Sequence, residues 1–209
     1  MKMTSMVWAV CVLVALIAAT NSNAAVQKYL FTGEVTTVDA ALSSDFSPGD
    51  QVAGFYSFDD TVADSNPDPD VGTYEGHLTA SIVNVSSGYT ASLDLADTID
   101  LTLLDNAFPT GGDNYVVSYA LVGPDVNALS VEQFLLDALD EDGAMLTSDD
   151  LPASPPDISL AESATGYIRF EGQNFVNFEL LSLRAVPEPS TYVLGIGLAL
   201  VALGVGRRR

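Results

Sequence analysis

The chain has 209 residues, with 28 Asp and Glu against seven Lys and Arg and one His, for a formal net charge of −21. That balance excludes nucleic acid and anionic lipid surfaces as partners, because both are polyanions that require basic residues. One cysteine in the whole chain excludes a disulfide framework and a cysteine-built zinc site.

The N-terminus reads as a secretory signal peptide over residues 1–24. Lys2 supplies the positive start, Met6 to Ala19 the apolar core, and Ser22-Asn23-Ala24 the small residues before a cut after Ala24, or after Ala25 one position on. Trp8 and Cys11, the sole tryptophan and cysteine, both fall inside this segment. The exported protein therefore has no thiol nucleophile and no indole for stacking a ligand.

Residues 25–185 make one domain's worth of chain. Between residues 25 and 186 only Lys28, Arg169 and Arg184 are cationic, against 27 carboxylates. Short apolar runs of period two, rich in β-branched and aromatic residues, alternate with turn signals. Strands are expected over Tyr29 to Val38, Val52 to Phe58, Leu78 to Val85, Tyr89 to Leu95 and Ile99 to Leu104. Further strands are expected over Tyr115 to Val122, Ile168 to Glu171 and Phe175 to Arg184. Val52, Gly54, Tyr56 and Phe58 should share one face. Val131 to Leu139 fits a helix by length, but its setting favours a strand. Ser86-Ser87-Gly88 reads as a hairpin turn. The expected fold class is all-β, an antiparallel β-sandwich or jelly-roll-like ectodomain followed by a single C-terminal transmembrane helix.

The densest chemistry lies in Asp59, Asp60, Asp64, Asn66, Asp68, Asp70 and Glu75. Counting from Asp64, the set Asp64, Asn66, Asp68, Asp70 and Glu75 falls on loop positions 1, 3, 5, 7 and 12 of an EF-hand-like calcium loop. Pro69 occupies position 6, where that loop needs glycine for its sharp turn, so a standard EF-hand is rejected. The two readings left are a different calcium loop and an acidic Asx- and Pro-rich turn. Asp137, Asp140, Glu141 and Asp142 ahead of Gly143, and Asp149-Asp150 ahead of Leu151-Pro152, read as exposed turns. No carboxylate pair is singled out for glycosidic chemistry, His77 stands alone, and no Gly-x-Ser-x-Gly elbow exists. The expectation is a protein that is not an enzyme. Tyr56, Tyr74, Tyr89, Tyr115, Tyr119 and Tyr167 are the aromatic candidates for a carbohydrate surface, with core packing as their other reading.

The chain closes on Val186 to Arg209, VPEPSTYVLGIGLALVALGVGRRR. The Pro187-Glu188-Pro189 triplet cannot lie inside a regular helix, since each proline removes an N–H and fixes φ. The uncharged run from Tyr192 to Gly206 spans about 22 Å as a helix, against a hydrocarbon core of about 30 Å. A span with local thinning and snorkelling arginines is the expectation, with Arg207, Arg208 and Arg209 held in the cytoplasm.

This tail resembles the PEP-CTERM sorting signal of exopolysaccharide-producing Gram-negative bacteria. The resemblance implies recognition by an exosortase, a membrane peptidase, which would read Pro187, Glu188 and Pro189. It also implies a membrane-anchored precursor, with a mature form at the outer cell surface or in a biofilm matrix of exopolysaccharide. The stretches FSPGDQVAGFYSFDDTVADSNPD, GTY, DNYVVSY and LTSDDLPASPPDISL are similar to an ectodomain type common among such proteins, one without established activity. A calcium-assisted carbohydrate-binding module is the alternative function.

Overall fold

The computed structural model describes residues 26–76, 78–95, 100–104 and 111–186. Among the described residues ten strands run in the order β1 (Val26–Val38), β2 (Gln51–Asp59), β3 (Val71–Glu75), β4 (Leu78–Val85), β5 (Thr90–Leu93), β6 (Asp100–Leu104), β7 (Asp113–Val122), β8 (Val131–Asp140), β9 (Ser163–Phe170) and β10 (Asn174–Ala185). A 3-10 turn, Ala40–Leu42, sits between β1 and β2. The stretch from Val131 is a strand and not a helix. Its buried residues Val131, Phe134, Leu136, Ala138 and Asp140 keep the two-residue period, apart from one bulge between Val131 and Gln133.

The expected two-sheet sandwich is replaced by a closed barrel. Going round, β1, β2, β4, β5, β7, β8, β9 and β10 pair in turn, and β10 pairs back onto β1. Every one of these pairings is antiparallel. Eight strands thus follow chain order round the wall. β5 and β6 take the same edge of β7 one after the other, through Leu93↔Leu121 and then Asp100↔Ser118. β3 adds to the far edge of β6 and makes a two-stranded extension beyond the barrel. The extension's outer edge is covered, because Ser65 N–H and Asp64 Oδ1 take up the Thr73 carbonyl and N–H at 2.9 and 2.8 Å.

An eight-stranded barrel is just wide enough for side chains to fill, and here aromatic rings do so. Phe134 of β8 lies 5.1 Å from Phe31 of β1, 5.0 Å from Tyr119 of β7 and 5.8 Å from Phe178 of β10, centroid to centroid. Val52, Tyr56 and Phe58 of β2 point inward with them, as the period-two reading expects. Two glycines make room: a Cβ on Gly54 would sit 2.5 Å from the Phe31 ring, and one on Gly166 2.3 Å from the Phe178 ring. Tyr56 Oη and Tyr115 Oη meet across the lumen at 2.6 Å, and Ser81 Oγ donates to Tyr119 Oη. The interior is a packed core in which these four hydroxyls are paired.

Each end has its own plug. At one end the β1–β2 connection drops Leu42 and Phe46 into the core, next to the β4–β5 and β9–β10 turns. At the other end the β8–β9 connection buries Met145 and Leu146. Tyr29 and Tyr74 fasten this second plug by donating to the carbonyls of Pro152 and Asp149. Among the described residues the seam is thus closed and both ends are plugged.

Candidate functional site

The first and last strands lie side by side, so the chain enters and leaves the barrel on adjacent rungs. Ala185 is opposite Tyr29, and Val186 N–H donates to the Lys28 carbonyl at 2.8 Å. Pro187 follows with no N–H to extend the ladder. From Val186 to Tyr192 there are six residue steps, at most roughly 21 Å at full extension. This end also holds the β2–β3 and β8–β9 connections, whose residues include Asp60, Asp64, Asp68 and Asp70 and six carboxylates over 141–162. The end from which the tail emerges is therefore strongly anionic.

Pro187, Glu188, Pro189, the 192–206 run and Arg207, Arg208 and Arg209 lie outside the described residues, as do the 1–24 segment and His77. Among the described residues no helix is long and apolar enough to cross a membrane.

The structure supplies a local cause for the calcium-like spacing. Asp64 Oδ1 accepts from Asn66 N–H at 2.8 Å, Asn66 Oδ1 from Asp68 N–H at 3.0 Å, and Asp68 Oδ1 from Asp70 N–H at 3.1 Å. Three Asx turns in succession produce the alternation, each side chain satisfying a backbone donor two residues on. Glu75 ends β3, roughly 14 Å along the strand from Val71. Among the described residues no group of three or more His, Cys, Asp or Glu converges as a metal-holding cluster.

Asp140 corrects the exposed-turn reading of the segment before Gly143. It is buried, and it sits directly opposite the equally buried Asp113 across the β7–β8 pair. Its carboxylate accepts the N–H groups of Asp142 at 3.0 Å and Ala144 at 2.7 Å, while Asp113 Oδ2 accepts that of Leu146 at 2.7 Å. Charge-assisted bonds to backbone donors fold the 141–146 segment over the barrel mouth. The two carboxylates are braces for the plug. The sequence signal missed was Asp113 at the start of an apolar alternating strand, a position that must point inward.

The tyrosine candidates divide. Tyr56, Tyr115 and Tyr119 are enclosed in the lumen, and burial holds all three phenols well above their ordinary range. Tyr74 is buried and pushed up to about 12 by loss of solvent and then by the Asp64 charge. Tyr167 is half-buried on the outer wall, edge-on to Phe175 at 5.2 Å. Tyr89 lines an open pocket, at the end of the barrel opposite the one where the chain leaves.

A self-closed barrel whose last strand runs directly into an anchoring tail defines a class: a folded cargo joined to a processing segment. Residues 185–209 match the PEP-CTERM protein-sorting motif, so the match begins on the last residue of β10. The chain carries that motif, which directs a membrane-anchored precursor to an exosortase-type membrane enzyme. No curated protein and no solved structure matches the chain.

Proposed function

We propose that this is an exported, non-enzymatic protein whose barrel is delivered through the exosortase route to the outer cell surface or the extracellular matrix, in association with exopolysaccharide. The carrying observation is the position of the sorting motif at residues 185–209, abutting the closing seam of the barrel. The short step from Val186 to Tyr192 keeps the anionic end next to the bilayer while the tail is inserted. The opposite end then faces away from the cell. Cutting the tail releases a barrel that is already closed.

The test is localisation in the native host with and without its exosortase. The proposal expects wild-type cells to carry the protein at the surface or in the matrix, and the deletion strain to retain it in the membrane fraction. Identical fractionation in both strains refutes it. The second reading, a carbohydrate-binding module, is favoured by one observation, the pocket beside Tyr89.

A further inference from the structure

One sector of the barrel's outer wall is unlike the rest of this acidic domain. Residues 26–33 of β1, 51–58 of β2, 78–85 of β4, 90–93 of β5 and 180–185 of β10 contain no Asp or Glu at all. These segments are neighbours in the wall, and their register lines up one rung of outward side chains. Arg184 stands opposite Leu30, Leu30 opposite Phe55 and Phe55 opposite Ile82; Ser92 and Val122 continue the rung. Leu30 is 45% exposed and Val122 47%, while Phe55 and Ile82 are half-buried. Leu181, where β10 bulges past Thr32 and Gly33, is exposed as well. Adjoining exposed apolar side chains mark an interaction surface.

Two of the three cations between residues 25 and 186 belong to the same sector. Lys28 Nζ lies over the Phe55 ring, 3.5 Å from its centre, and Arg184 is exposed at the end of the rung. The third, Arg169, is tied to Glu132 at 3.0 Å; among the described residues neither Lys28 nor Arg184 is paired with a carboxylate.

The place where the chain leaves decides what covers this wall. Val186 is held against Lys28, and six residue steps, at most roughly 21 Å, separate it from the apolar run that begins at Tyr192. Leu30 and Phe55 stand one and two strands from Arg184, about 5 and 10 Å at the usual strand spacing, well inside that reach. Lipid phosphates repel the carboxylates of the β2–β3 and β8–β9 connections but attract Lys28 and Arg184. Leu30 and Phe55 suit the boundary between headgroups and acyl chains. We propose that in the precursor this wall rests on the bilayer against zwitterionic phospholipid headgroups, leaning the barrel over the segment that is to be processed. The net charge of the domain opposes an anionic leaflet, which sets the headgroup class. The proposal rests on the reading that the tail is inserted in the membrane.

The experiment reconstitutes residues 25–209 at one copy per nanodisc of phosphatidylethanolamine and phosphatidylcholine. Because Cys11 lies in the signal segment, single nitroxide labels can be placed through Thr32→Cys or Ala53→Cys on this wall and Leu135→Cys across the barrel. The two wall labels are expected to be about five-fold less accessible to a water-soluble relaxant than the label at 135. Leu30→Glu and Arg184→Glu, both at exposed positions, should each abolish most of that protection while the melting temperature stays unchanged, which separates lipid contact from structural damage. Equal accessibility at all three positions in a precursor retained by the discs overturns the wall contact and leaves tail insertion intact. Protection that survives both variants, or that grows when phosphatidylglycerol is added, also overturns it. Protection seen only with two copies per disc replaces the bilayer with a second copy of this chain. A precursor that does not enter the discs overturns both the contact and the insertion.

Discussion

The Tyr56–Tyr115 contact offers a direct probe of the closed barrel. Tyr56 belongs to β2 and Tyr115 to β7, strands separated along the wall by β4 and β5, so their 2.6 Å hydrogen bond spans the lumen. Replacing either tyrosine with phenylalanine leaves the other hydroxyl buried without its partner. The lost bond contributes about 1 kcal/mol and the stranded group about 1 kcal/mol more, so each single variant is predicted to lose about 2 kcal/mol. The double variant leaves no stranded group and should lose no more than about 1 kcal/mol, giving a coupling near 3 kcal/mol, at the top of the usual range. At 2–4 °C per kcal/mol for a domain of this size, each single variant should melt roughly 4–8 °C lower. Urea unfolding of residues 25–186 reads all four corners of the cycle. Additive losses, with the double variant near 4 kcal/mol, would mean that the two hydroxyls do not meet, and would refute the cross-lumen packing.

Asp140→Ala is predicted to cost about 3 kcal/mol in the same assay, from two charge-assisted bonds to the 141–146 segment, and to speed hydrogen exchange at Asp142 and Ala144. A loss under about 1 kcal/mol would remove its bracing role. High pH should destabilise the barrel. Six phenols, of Tyr29, Tyr56, Tyr74, Tyr89, Tyr115 and Tyr119, are raised first of all by burial. The unfolded chain therefore releases phenolic protons near pH 10 while the folded one retains them, and stability falls as pH rises from about 10 to 12 and beyond. Tyrosinate absorbance should then rise together with loss of structure; gradual ionisation of an intact fold would contradict this. Calcium titrated from micromolar to millimolar against EDTA is predicted to move the melting temperature by less than about 1 °C, given that Asx turns account for the 64–70 spacing. A reversible rise of several degrees would contradict this and point to Asp64, Asn66, Asp68, Asp70 and Glu75 as ligands.

Much of the wall was legible because a half-buried strand must alternate. Val52, Gly54, Tyr56 and Phe58 announced the inward face of β2, and Val131 to Leu139 kept its period despite a helix-compatible length. Closure was not legible, since a sandwich and a barrel share the same period. What distinguishes them is whether β10 returns to β1, a pairing about 150 residues apart in sequence. β3 was hidden because Val71-Gly72-Thr73-Tyr74-Glu75 is short, contains glycine and follows an acidic run that reads as loop. The same acidic run matches a metal-ligand spacing in the sequence, and the sequence could not show that its Asx oxygens also accept backbone N–H groups two residues on. Tyr89 appeared in the sequence only as one aromatic among six. Its place in the pocket depends on three connections far apart in the chain.

The measurement closest to the central claim is the intact mass of the protein from its native host, compared with an exosortase-deletion strain. The account predicts a wild-type mass lacking the N-terminal signal and Arg207, Arg208 and Arg209, and a deletion-strain mass that retains the whole tail. A wild-type protein still carrying all three arginines, with the same mass in both strains, would contradict it.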